Sequence, residues 1–194
     1  MTRGITWLCA ALLLSACAAR TPSATLWQLV PATGMPAAWE ADAPSVYLGP
    51  VQVPRYVDRP HVMQRVGPSR LDPEAFHRWA EPLNAAATRV LGEDLGRRLA
   101  SERVLAYPEE PRLAVDYRVA VEVLRLDGRI GETVDLAARW SVLAGDSGAV
   151  LATGREDIIV PAGGDMEQFV AAHSEAFSLL AGEIAGEIRN RSGK

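Results

Sequence analysis

The sequence predicts a single α/β domain in which a mixed sheet with an antiparallel meander is covered by two long helices. Three observations carry this. Apolar and polar residues alternate through 117–123, 134–142 and 149 to about 160, the period of two that half-buried strands need. Leu83, Ala87, Val90, Leu91, Leu95 and Leu99 recur at helical spacing between residues 82 and 101, and a longer apolar stripe follows Asp165. No internal repeat interrupts the 194 residues, a length that suits one domain.

The first 16 residues read as a secretory leader. Arg3 supplies a positive start, residues 5–14 form a short apolar run, and small residues follow, a pattern too short for a stable membrane span. The leader closes with Leu14-Ser15-Ala16-Cys17, which resembles the lipobox of bacterial lipoproteins, in which the cysteine is acylated and becomes the new first residue. Ordinary cleavage near Ala18 or Ala19 leaves a cysteine directly after the small pair unexplained. Cys17 is therefore the expected lipidation site, and residues 17–25, small and polar with one proline, form a flexible tether ahead of a domain spanning 26–194. Ala18 is not the aspartate that retains enterobacterial lipoproteins at the inner membrane, so the resemblance implies the periplasmic face of the outer membrane. Cys9 goes with the leader and Cys17 with the lipid, leaving the mature domain no thiol for a disulfide, a metal or nucleophilic attack.

Within the domain, residues 26–30 read as a strand stopped by Pro31, and residues 33–44 as a loop rich in proline. Residues 46–53 form a second strand whose Pro50 calls for an edge position or a bulge. Residues 62–66 and 69–71 form a hairpin across Gly67-Pro68. Pro82 falls in the first turn of the first helix. The meander turns at Gly128-Arg129-Ile130-Gly131 and at Gly145-Asp146-Ser147-Gly148. Asp165 caps the last helix, with Gln168 in capping-box position, and Met166, Phe169, Val170, Phe177, Leu180, Ile184 and Ile188 make its buried stripe. Its polar face carries Glu167, Glu175, Glu183 and Glu187, which suits a sheet-covering helix rather than one lying on an anionic lipid surface.

Composition and motifs argue against chemistry. The chain carries 24 acidic and 20 basic residues, a net charge of -4, without a basic cluster, so nucleic acid is not an expected partner. Lys194 is the only lysine, which leaves no residue for a Schiff base or a phosphate-loop lysine. The tetrad at 145–148 matches the nucleophile loop of chymotrypsin-like proteases, but it joins two alternating strands as a hairpin turn does. His61, His77 and His173 lack metal-ligand spacing, and His173 sits in the apolar stripe as a packed core residue. The expectation is a protein without catalytic residues, metal or cofactor.

A resemblance carries the reading further. Gly49-Pro50-Val51-Gln52-Val53-Pro54-Arg55-Tyr56-Val57-Asp58-Arg59-Pro60 followed by Val62-Met63-Gln64-Arg65, then Arg78-Trp79-Ala80-Glu81-Pro82-Leu83, Arg89-Val90-Leu91 and Asp116-Tyr117-Arg118-Val119, resemble in order and spacing the PqiC/YmbA lipoproteins, auxiliary components of ABC-type transport. Leu26-Trp27-Gln28-Leu29 replaces the tyrosine pair that the family tends to carry before leucine. The resemblance implies a non-enzymatic outer-membrane lipoprotein that works with a periplasmic MCE-domain protein, an inner-membrane permease and often an ATPase in moving lipids between the membranes. Because MCE proteins form rings, it leaves a ring-matched homo-oligomer open. An envelope-assembly lipoprotein that plugs or chaperones an outer-membrane machine is the alternative.

For the partner surface, the expected residues are Arg55, Tyr56, Asp58, Arg59, Arg65, Arg78 and Trp79, dense in arginine and aromatic residues and placed in loop rerouted by proline. The competing possibility is structural, with Asp58 and Arg59 paired inside the fold and Trp79 plugging the start of the first helix.

Overall fold

The computed structural model describes residues 23–34 and 38–193. The leader and Cys17 lie outside the described residues. The strands, in chain order, are β1 Thr25–Trp27, β2 Val46–Leu48, β3 His61–Gly67, β4 Arg70–Trp79, β5 Val104–Ala106, β6 Tyr117–Gly128, β7 Thr133–Ala144 and β8 Val150–Pro161. Helix α1 (Leu83–Leu99) follows β4 and helix α2 (Met166–Ser192) follows β8. Neither is long and apolar enough to cross a membrane.

The α/β class and the meander are as the alternation predicts, but the strands divide between two sheets. A five-stranded sheet has the order β5-β2-β6-β7-β8, with β2 parallel to both neighbours and β6, β7 and β8 antiparallel. A three-stranded sheet has the order β1-β4-β3, with β1 parallel to β4 and β3 antiparallel to it. Helix α2 packs on β7 and β8 and against α1, which in turn lies on β5. The stripe predicted for α2 is buried throughout, and Phe169, Phe177, Leu180, Ile184 and Ile188 are fully enclosed.

Several boundaries move for identifiable reasons. The first strand ends at Trp27 because the next residues are bound by the helices. Leu29 is fully buried, its carbonyl accepts from Arg89, the Val30 amide donates to the Ser174 hydroxyl, and the Ala32 amide donates to Asp94. The strand expected over 46–53 ends at Leu48 and is internal rather than an edge, and the chain bulges past Pro50. Pairing with β6 stops at Leu48, the amideless Pro50 steps outside the ladder, and a bridge between Gln52 and Glu122 resumes it. The hairpin turn falls at Pro68-Ser69, but β4 continues through Pro73 to Trp79. Register shifts on both sides of residues 63–65 absorb that proline.

Helix α1 starts one residue later than expected, with Pro82 as its extended N-cap, and ends at Leu99. Ala100 is left-handed with φ 51°, its amide bonding the Arg97 carbonyl and the Ser101 amide the Gly96 carbonyl, the closing pattern usually given to glycine. Asp165 caps α2 by accepting from the Gln168 amide; the Gln168 side chain donates to the same carboxylate instead of completing a capping box.

One face of α1 lies so close to β5 that a Cβ on Gly92 would stand 2.8 Å from the Ala106 Cβ. Gly92→Ala should therefore lose stability despite the better helix propensity of alanine. Ala100→Gly should gain about 1 kcal/mol by relieving the left-handed alanine. Urea denaturation of the two variants checks both signs.

Candidate functional site

Two of the residues expected at the partner surface, Tyr56 and Arg65, meet at a carboxylate that sequence reasoning missed. Residues 54–59 form a tight turn in which the Val57 and Asp58 amides both donate to the Pro54 carbonyl, and Val57 is buried as its pin. The turn delivers the Tyr56 hydroxyl to Asp127, with an O···O distance of 3.1 Å, and that same hydroxyl accepts from the Leu126 amide. From β3, Arg65 grips both carboxylate oxygens of Asp127, Nε at 2.7 Å and Nη2 at 2.8 Å, the paired geometry a guanidinium favours. Arg65 Nη1 also donates to the Gly67 and Pro68 carbonyls, and Arg129 donates to the Arg65 carbonyl.

Asp127 is 2% exposed, and its position follows from a bulge. Val119, Val121 and Val123 face the helices, then the register slips between Val123 and Arg125, which exchanges the faces of every following residue. Leu126 and Gly128 now point to the core, where a Cβ on Gly128 would meet Phe169. Asp127 points the other way, to β3. Burial works to raise its pKa, but the hydrogen bonds from Arg65 and Tyr56 outweigh it and hold the carboxyl below its ordinary range. Burial pushes the Tyr56 phenol up, and the hydrogen bond to Asp127 raises Arg65. The cluster is thus a locked ion pair and not an acid or base poised for proton transfer.

The other expected surface residues separate into two kinds. Arg55, Asp58, Arg59 and Arg78 are exposed, and among the described residues none makes a side-chain hydrogen bond or ion pair, so the pairing of Asp58 with Arg59 does not form. Arg65, Arg78 and Trp79 are on strands β3 and β4 rather than in rerouted loop. Trp79 is buried, with its ring edge-to-face on His173 at 5.7 Å. His173 also meets Phe169 at 4.6 Å, and its Nδ1 bonds the Phe169 carbonyl. It is the packed core histidine that its place in the stripe predicts, and complete burial drives its pKa down to about 4.

The remaining motifs are structural as well. Gly145–Gly148 is the turn between β7 and β8, with the Ser147 hydroxyl accepting from the Ala149 amide. No group of histidine and acidic side chains among the described residues is placed to hold a metal ion. A groove of about 840 Å³ runs along α1 beside β5, floored by Gly92 and Gly96 and walled by Trp39, Tyr107 and Arg97.

The family model for the ABC-type transport auxiliary lipoprotein component matches residues 25–185. Two crystal structures are similar in fold. Protein XCC0632 from Xanthomonas campestris is 18% identical with a TM-score of 0.70, covering 88% of this chain and 100% of that one. An uncharacterized protein is 17% identical with a TM-score of 0.68, covering 86% of this chain and 99% of that one. No curated protein matches the sequence.

Arg65→Ala strands a buried carboxylate and should cost about 3 kcal/mol or more, whereas Tyr56→Phe removes one hydrogen bond and should cost about 1 kcal/mol; chemical denaturation ranks them. The Asp127 contribution is present above the ordinary carboxylate pKa of 3.8 and is lost as pH falls through its lower folded value. His173 acts in a higher window. Its folded pKa lies below the unfolded value of 6.5, so the unfolded chain binds the extra proton and stability falls as pH drops from 6.5 towards 4, by roughly 3 kcal/mol at about 1.4 kcal/mol per unit. His173→Leu should flatten the denaturation midpoint across that window.

Proposed function

We propose a function from the premise that this chain belongs to the ABC-type transport auxiliary lipoprotein family, whose model spans residues 25–185. In our reading it is the lipid-anchored subunit of an MCE-type system that moves lipids between the membranes. The domain stands on the periplasmic face of the outer membrane, held by acylated Cys17, and binds the periplasmic MCE-domain protein that reaches it from the permease and ATPase. The family match over nearly all of the domain carries this reading. Three acyl chains, at about 0.8 kcal/mol per buried methylene, are enough to keep such a domain on its membrane.

What the fold offers the role is a rigid platform. The Asp127 cluster fixes the turn at residues 54–59, and the free side chains at its surface are Arg55, Asp58 and Arg59. These are the residues we assign to partner contact. Tyr56 and Arg65 hold them in place through Asp127, and Trp79 supports the strand beside them from the core. A turn whose backbone is already fixed loses little backbone entropy on binding, and a subunit of this kind needs no catalytic group.

Crosslinked purification of the full-length protein from its own envelope, compared with Cys17→Ala, tests the reading. Recovery of an MCE-domain protein with the lipidated form is the expected result; recovery of β-barrel or assembly factors alone overturns it in favour of an envelope-assembly role. Arg55→Glu combined with Arg59→Glu should reduce MCE recovery severalfold and leave the melting temperature within a degree or two, because neither side chain has a partner inside the fold.

A further inference from the structure

We infer that the outer face of the three-stranded sheet is a membrane-docking surface, which seats the domain on the bilayer that anchors it. This rests on the lipid anchor at Cys17 and goes beyond the proposed partner. The two faces of the sheet differ in kind. Trp27, His77 and Trp79 point inward, where the Trp27 indole donates to His77 and Trp79 packs on His173 of α2. Leu26 pairs in register with Arg78, and Phe76 lies two residues before Arg78 on the same strand, so these three share the opposite face. There Leu26 is 64% exposed and Phe76 is 47% exposed. Arg78 is exposed and has no side-chain partner among the described residues, and His61 is its cross-strand neighbour.

The course of the chain names what covers this face. Read back towards the N-terminus, the chain runs from Thr25 directly into the tether, and Cys17 is only eight Cα–Cα steps away. Fully extended, those eight steps span at most about 29 Å. A sheet entered by its own tether is the part of the domain held nearest the lipid. Leucine and phenylalanine beside an arginine are the side chains that enter the headgroup boundary, the apolar groups inward and the guanidinium at the phosphates. Docking by three side chains is too weak to hold a free domain and becomes effective once the tether makes it intramolecular. The anchor then supplies affinity and the patch supplies orientation, which leaves the far end of the domain directed into the periplasm.

The test uses the full chain, expressed, processed and reconstituted into phosphatidylethanolamine–phosphatidylglycerol vesicles, with a nitroxide on Phe76→Cys. Acylated Cys17 is no longer a free thiol, and Cys9 leaves with the leader. Collisions of the nitroxide with a water-soluble nickel chelate should fall severalfold relative to the same protein in detergent-free buffer after cleavage of the tether, while a nitroxide on Ser147→Cys, in the β7–β8 turn, should not change. Leu26→Cys provides a second probe if the first variant folds poorly. Protein that co-floats with the vesicles while both patch probes remain as water-accessible as Ser147→Cys overturns the docking surface and leaves the anchor standing. Protein that fails to float overturns the anchor and the docking together.

Discussion

The buried carboxylate of Asp127 is the constraint on which the arrangement of this domain depends. The three-stranded sheet, whose β3–β4 pairing is broken by register shifts, is joined to the rest of the domain at two places. On one side Trp79 buries against α2 through His173. On the other, Arg65 of β3 and Tyr56 of the preceding turn converge on Asp127 of β6. A charge 2% exposed cannot be left without its partners, since an unpaired buried carboxylate costs several kcal/mol. The ion pair therefore acts less as a source of net stability than as a specification: any packing that separates β3 from β6 strands a charge, and only one seating satisfies both carboxylate oxygens.

That specification has a functional counterpart. The turn at 54–59 is short and solvent-facing, and such segments are ordinarily mobile. Here its tyrosine is bonded beneath it and its valine is buried, so the backbone that carries Arg55 and Arg59 is held in place. Several polar groups of the domain fix its elements: the Arg65–Asp127 pair is locked, the buried histidine is held neutral by its surroundings, and the serine tetrad closes a hairpin. The two sheets divide the structural work, the larger packing against both helices and the smaller carrying β1 and the turn ahead of β3.

The domain's own sequence determined the elements that depend on local pattern. The alternation through 117–123, 134–142 and 149–160 is the meander, because a half-buried strand must place every second side chain in the core. The stripe from Met166 to Ile188 is α2, because a helix covering a sheet must present one apolar arc, and His173 in that arc is packed as its position requires. What only the tertiary structure decided depends on residues distant in the chain. Nothing near Pro50 says that β5, more than fifty residues later, will pair with β2 and make an apparent edge strand internal. Nothing near Asp127 says that a slip after Val123 will exchange the faces of β6 and turn an acidic residue from the helices to an arginine 62 residues away. Periodicity reports which face is buried while the register runs true; a bulge, a crossover pairing and a long-range ion pair are set by the partner strand, whose identity no local window contains.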